Sequence, residues 1–249
     1  MLRIRGRFVL FLAFALVPLR ARCGAPFETD DPAVVAAGRI DLLAFYQRTL
    51  AGVTGSGSAP GVELHFGISD RVELDVASSR AFSTLPGSGT RRGYGDTTLG
   101  VKYRLVDEAD GIPMVSLVPK LTLPTGDATR GLGNGGTRAL LGIAAQKQRG
   151  PWQAYANVAY AIDNGPNNRN FWFAGAEAQR ALSPRWIVGG EIFGMSTQSV
   201  GQRASTGFNV GGYYLVDERH QALFSFGRGL MNVHETNRVS AYLGYQMGF

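Results

Sequence analysis

The chain of 249 residues has one cysteine and three histidines, and past its first 25 residues it has no long unbroken apolar run. Each shortage removes a class of protein. The cysteine is Cys23, close to the start, so disulfide frameworks and cysteine metal centres are excluded for the chain beyond it. His65, His220 and His234 are scattered along the chain, with no cysteine or carboxylate at ligand spacing, so neither a metal site nor any other cofactor is expected. A helical membrane span needs roughly 18 or more consecutive apolar residues, and none occurs after the first segment. No G-x-S-x-G occurs, which removes the nucleophile elbow of serine hydrolases.

The first segment has a reading of its own. Arg3, Arg5 and Arg7 precede an apolar run over residues 8–17, and the small residues Ala21, Gly24 and Ala25 come after it. This is the three-part layout of a secretory signal peptide, and the run is too short to span a bilayer. Residues 1–25 are therefore set aside as cleaved. Arg20 occupies the place where a lipid-modified Cys23 would want an apolar residue, which argues against lipidation. The segment holds five arginines and no acid, so its removal lowers the formal charge from +6 to +1. The basic balance belongs to the export signal, and a nucleic-acid partner is not expected.

Glycine is abundant, at 34 residues, and aromatics make up 10%. The chain ends on Val239, Ala241, Leu243, Tyr245, Met247 and Phe249, alternating with mostly small or polar residues. A period of two builds a strand with one apolar and one wet face. Twelve such segments run over 38–48, 60–68, 71–80, 94–105, 113–123, 137–147, 152–162, 170–180, 185–194, 204–215, 220–230 and 237–249. Each is near the ~9–11 residues of a tilted transmembrane strand, and the number is even, as a single-chain barrel needs. Short links at 69–70, 107–111, 149–150, 182–184 and 216–219 alternate with longer ones at 51–58, 81–93, 124–136, 163–169, 196–203 and 231–236. Tight periplasmic turns and larger external loops produce that alternation. Trp152 and Trp186 come directly after short turns and Trp172 after a long loop, which supplies one aromatic girdle at each boundary.

The fold class is all-β: an up-and-down antiparallel transmembrane barrel over residues 38–249, preceded by a periplasmic lead over 26–37. Parity assigns the faces. Val62, Leu64, Phe66 and Ile68 alternate with Glu63 and His65; Val72, Leu74 and Val76 with Arg71, Glu73 and Asp75; Leu99, Val101, Tyr103 and Leu105 with Lys102 and Arg104. A charge facing lipid at mid-depth costs about 2–4 kcal/mol for Arg or Lys, so these charges, with Lys120, Glu177 and Glu191, are assigned to the lumen. Counting back from the 81–93 link places Glu73 across from Lys102, Arg71 near Arg104 and Asp75 near Gly100. Glu177 and Glu191 lack a cationic neighbour and are read as hydrated or solute-facing. Tyr155 and Leu223 fall on the inward phase, which leaves the faces of their strands open. Tyr245 and Phe249 are read as the assembly signal in the closing strand, with the barrel-assembly machinery and outer-membrane lipid as partners.

Several stretches, PFETDDP (26–32), GYGDT (93–97), LGVKYR (99–104), LPTGD (123–127), RGLGNGG (130–136) and STGFN (205–209), touch most of the mature chain. In these it resembles the outer-membrane protein family named for the MetA pathway of phenol degradation. The resemblance implies a transporter-like outer-membrane barrel of a Gram-negative bacterium and, on its own authority, a preference for aromatic or hydrophobic small molecules. It brings no binding residues. GLGNGG also fits G-x-G-x-x-G, but no acid lies about 20 residues on, so an external loop is the reading. The expected function is passage of small solutes and not catalysis. A structural or interaction barrel with a blocked lumen and a lipid hydrolase built on a serine near His65 remain as alternatives.

Overall fold

The computed structural model describes residues 24–249. The alternating segments pair antiparallel into one sheet, and β1 (Ile40–Ala51) bonds to β14 (Val239–Gly248) from Asp41↔Gly248 to Leu50↔Val239, which closes the cylinder. Between them lie β2 (Thr54–Ser69), β3 (Val72–Leu85), β4 (Gly89–Tyr94), β5 (Thr97–Val106), β6 (Met114–Leu117) and β7 (Lys120–Leu123). Then come β8 (Arg138–Arg149), β9 (Trp152–Asp163), β10 (Phe171–Ala181), β11 (Trp186–Met195), β12 (Ser205–Leu215) and β13 (His220–Met231). β4 and β5 are one stave interrupted at residues 95–96, since β3 pairs with both. β6 and β7 are another, interrupted at 118–119, where Val118 N–H still reaches Gly142 O and Pro119 O still accepts from Val101. The fourteen segments therefore form twelve staves.

Two of the expected long links are not loops. β1 and β2 join through Gly52-Val53, and β3 and β4 through residues 86–88. Gly52 at φ +56° and Gly87 at φ +73° supply the left-handed backbone such turns need. These hairpin ends are Gly/Ser/Thr-rich and carry no apolar face, so no alternation marks them as strand. Residues 124–137, 164–170, 196–204 and 232–238 are longer connections at that same end, holding a short 3-10 turn η1 (Ala128–Arg130) and a helical turn α1 (Val233–Thr236). The first strand begins and the last strand ends at the opposite, tight-turn end, where Ile40 N–H meets Phe249 O.

Outward positions are apolar along the middle of the staves, with Leu74, Val101, Leu141, Ile192 and Leu243 all exposed. No helix among the described residues is long and apolar enough to cross a membrane; strands carry the apolar band. Trp152 and Trp186 face outward at the turn end, and Trp172 does so at the loop end, its ring 4.8 Å from that of Tyr160. Tyr155 and Leu223 face inward and are buried.

The lead is the largest departure from expectation. It does not hang beneath the barrel but turns into it. Gly38 N–H binds Gly67 O at the rim, and the chain then runs past the β3/β5/β6 wall and crosses the bore to β11–β13. Phe27 joins Leu43, Ile187, Tyr213 and Leu223 in the main apolar cluster, which therefore lies inside the barrel. The expected signal peptide and Cys23 lie outside the described residues, apart from Gly24 and Ala25.

Candidate functional site: a threaded lumen

The β3/β5 register sets Glu73 opposite Lys102 and Asp75 opposite Gly100, while β2 sets His65 opposite Asp75. These neighbours converge. Lys102 Nζ lies 3.6 Å from Glu73 Oε1 and 3.5 Å from Asp31 Oδ1 and donates to Ala33 O at 2.8 Å. Glu73, wholly buried, accepts from Val35 N–H. His65 Nδ1 is 2.8 Å from Asp75 Oδ1 and 3.5 Å from Glu73 Oε1. The histidines are thus less scattered than expected: His65, Glu73 and Asp75 offer ligand atoms within 4.8 Å of one another. The Lys102 ammonium already supplies a cation to that group.

On the same wall, Lys120 Nζ grips Asp30 at 2.7 and 2.9 Å toward the loop end, and Ser116 Oγ donates to Pro32 O at 2.5 Å toward the turn end. Across the bore Glu191 takes the lead with neutral donors. Its Oε1 accepts from Glu28 N–H at 2.8 Å and from Asn209 at 2.6 Å; its Oε2 accepts from Thr29 N–H at 2.8 Å and Thr29 Oγ1 at 2.7 Å. Tyr213 and Ser225 hold the carbonyls of Ala25 and Pro26. Two glycines make room. A Cβ on Gly67 would come within 2.1 Å of Ala36 O, and one on Gly175 within 2.4 Å of Thr29 Oγ1.

The assigned lumen residues therefore divide. Glu73, Lys102, Lys120 and Glu191 contact the lead; Glu191 is a lead anchor and not a solute-facing acid. Glu177 faces Glu191 across the β10/β11 pair and accepts from Gln179. Glu63 and His65 line a cavity of about 250 Å³ together with Glu28, Asp30 and the stacked rings of Phe45 and Tyr242, 5.5 Å apart. Arg71 and Arg104 lie at the turn-end rim and not in the bore, where both pair with Asp107 at 2.5 and 3.0 Å. They sit next to turns, where parity no longer dictates a face. Tyr245 faces outward and Phe249 is exposed beside the β1/β14 seam.

Glu28 opens onto the cavity from a crowded position. Desolvation, then the carboxylates of Glu191 and Asp30, push it up to about 7 against the opposing Lys120. Contact with cavity solvent moderates that shift.

The residues of the glycine-rich blocks hold the loop end together. Asp96 Oδ1 accepts from Gly126 N–H at 2.9 Å and its Oδ2 from Asn134 N–H at 2.6 Å, while Asp127 caps η1. Asp163 binds Asn134, Asn168 and Arg138. GYGDT, LPTGD and GLGNGG thus form a loop clamp, and the strand β8 stands after them where a nucleotide fold would place a helix.

Solved structures of this shape are known. The COG4313 outer membrane channel from Pseudomonas putida F1 is 18% identical, with a TM-score of 0.71, covering 88% of this chain and 98% of that one. The NanC porin is 10% identical at TM-score 0.61, covering 84% and 98%. The translocator domain of autotransporter NalP from Neisseria meningitidis is 11% identical at TM-score 0.55, covering 84% and 88%. Likeness at this level shows the fold alone. No curated protein matches the sequence. Residues 34–246 match the family described as "Putative MetA-pathway of phenol degradation", and the chain belongs to that family.

Proposed function

We propose that this protein is an outer-membrane channel that passes small solutes around its own threaded lead. The observation that carries the reading is the cavity of about 250 Å³ inside a closed barrel, lined by both charged groups and the stacked Phe45 and Tyr242. It is near the low end of small-molecule sites, about 300 Å³. A single aromatic ring bearing a polar group suits both surfaces: the ring lies against Phe45 and Tyr242, and the polar group meets the charged wall. Family membership and the channel and porin names of the first two structural neighbours support solute passage.

The lining is not electrically even. Glu28, Asp30, Glu63, Glu73 and Asp75 outnumber Lys102, Lys120 and Arg48, the last of which belongs to the outward phase of its strand, and this favours neutral or cationic solutes over carboxylates. Liposome swelling with phenol, aromatic acids, sugars and amino acids tests this. Uptake of the neutral aromatic should exceed that of its carboxylate; equal exclusion of every solute, together with silence in planar bilayers, refutes the channel and leaves an interaction barrel. Assembly is proposed to depend on the seam. Deleting Phe249 should lower the yield of heat-modifiable barrel, and a normal yield would refute that.

A further inference from the structure

Every carboxylate on a strand of the described residues lies on the inward phase, whereas Arg48, Arg80 and Arg92 are exposed on the outward phase. Arg48 shares its face with Tyr46 and Leu243, and Arg80 shares its face with Leu74 and Val76. The registers Arg48↔Gly57, Gly57↔Phe82 and Phe82↔Arg92 put two of the arginines in one row across four staves. Arg80 sits two residues nearer mid-membrane, opposite Tyr94. With strands about 4.8 Å apart and alternate residues about 6.8 Å apart, the three backbone positions fall within a patch about 15 Å across. The outward ring of Phe82 stacks on Tyr46, with centroids 6.3 Å apart, and Tyr94 is 83% exposed. None of the three arginines makes an ion pair among the described residues.

Their height gives the patch its meaning. Below Arg48 the outward residues are Ile40, Leu42, Ala44 and Tyr46, and below Arg80 they are Val72, Leu74, Val76 and Ser78. The arginines therefore end the apolar band at the loop end, where a cation costs little and headgroups begin. On β9 and β10 that boundary carries Tyr160, Ile162 and Trp172, whereas a fourth outward arginine, Arg228, lies at a similar height on β13, two staves from Arg48.

We infer that Arg48, Arg80 and Arg92 form a binding site for the phosphate-bearing headgroup of an anionic lipid in the outward-facing leaflet. Guanidinium groups bind phosphate oxygens two at a time, and Phe82, Tyr46 and Tyr94 lie against the less polar part of the headgroup. The site requires that the barrel span a membrane, whatever passes through it.

Native mass spectrometry of the full chain in detergent, with lipid A, phosphatidylcholine or inorganic phosphate added, tests the site. Wild type should retain lipid A and neither of the others. Arg48→Gln/Arg80→Gln/Arg92→Gln should lower the lipid-bound fraction roughly tenfold or more, while Arg149→Gln, outward at the turn end, should not. Equal retention by the triple variant, equal binding of phosphatidylcholine, or saturation by inorganic phosphate in place of lipid overturns the inference. Should the triple variant fail to show heat-modifiable migration, Arg92→Gln alone decides: a several-fold loss supports the site and unchanged retention overturns it.

Discussion

The two walls that the lead bridges handle enclosed charge in opposite ways. On the β3/β5/β7 side carboxylates meet ammonium groups: Glu73 and Asp31 share Lys102, and Asp30 holds Lys120. On the β11/β12 side Glu191 meets no cation among its hydrogen-bond partners and is satisfied by backbone N–H groups, a hydroxyl and the Asn209 amide. Ion pairing needs its partner to stay charged, so the first wall fails abruptly when one member goes. Multiple neutral donors share the load, so the second wall weakens in steps.

The comparison breaks most severely at Lys102. Lys102→Met leaves Glu73 and Asp31 enclosed without their ammonium and should cost about 3–5 kcal/mol, read as a lower unfolding midpoint in denaturant. Adding Glu73→Gln should recover much of it. A loss below about 1 kcal/mol would mean that the pair behaves as a hydrated surface pair.

Glu191→Ala comes next. The lead loses its grip on one wall only, so stability should fall by about 1–3 kcal/mol and bilayer current should rise. Gly175→Ala tests the same wall without touching a charge, because its methyl group takes the place of Thr29 Oγ1. It should raise the current in the same direction, and unchanged current in both variants would show that the lead does not limit flow.

The smallest effect is a titration. Glu28 has its folded value raised from an ordinary 4.5 toward about 7, so the folded state holds its proton where the unfolded chain has lost it. Its contribution to stability therefore declines as pH rises from about 4.5 to 7, the reverse of an ion-paired acid. Above that range the added negative charge should increase cation preference. Reversal potentials at pH 6 and pH 8 should differ in wild type and converge in Glu28→Gln; equal values in wild type would remove the titration.

The staves were legible because lipid outside and water inside impose a two-residue period, and Glu73 could be counted to Lys102 because register is set by tight turns. The hairpin tips were not, since Gly55, Ser56, Gly57 and Ser58 carry no apolar face. The lead was missed for a different reason. PFETDDP makes its contacts one residue at a time with partners up to 199 positions away, so no local period announces it. Two faint signals existed: inward Lys120 has no acid opposite it on the neighbouring strands, and the inward glycines Gly67 and Gly175 leave space that a barrel wall does not need.

By itself the sequence determined the number of staves, the faces of most of them away from the turns, and the enclosure of mid-strand carboxylates, because each is a local response to a solvent that changes from one side of a strand to the other. Tertiary structure alone decided which charges meet the lead, that Glu191 anchors it, that His65 joins two carboxylates, and that Arg48, Arg80 and Arg92 share one patch. Those are contacts across the cylinder or around its circumference, and they exist once closure has brought distant segments within a few ångströms.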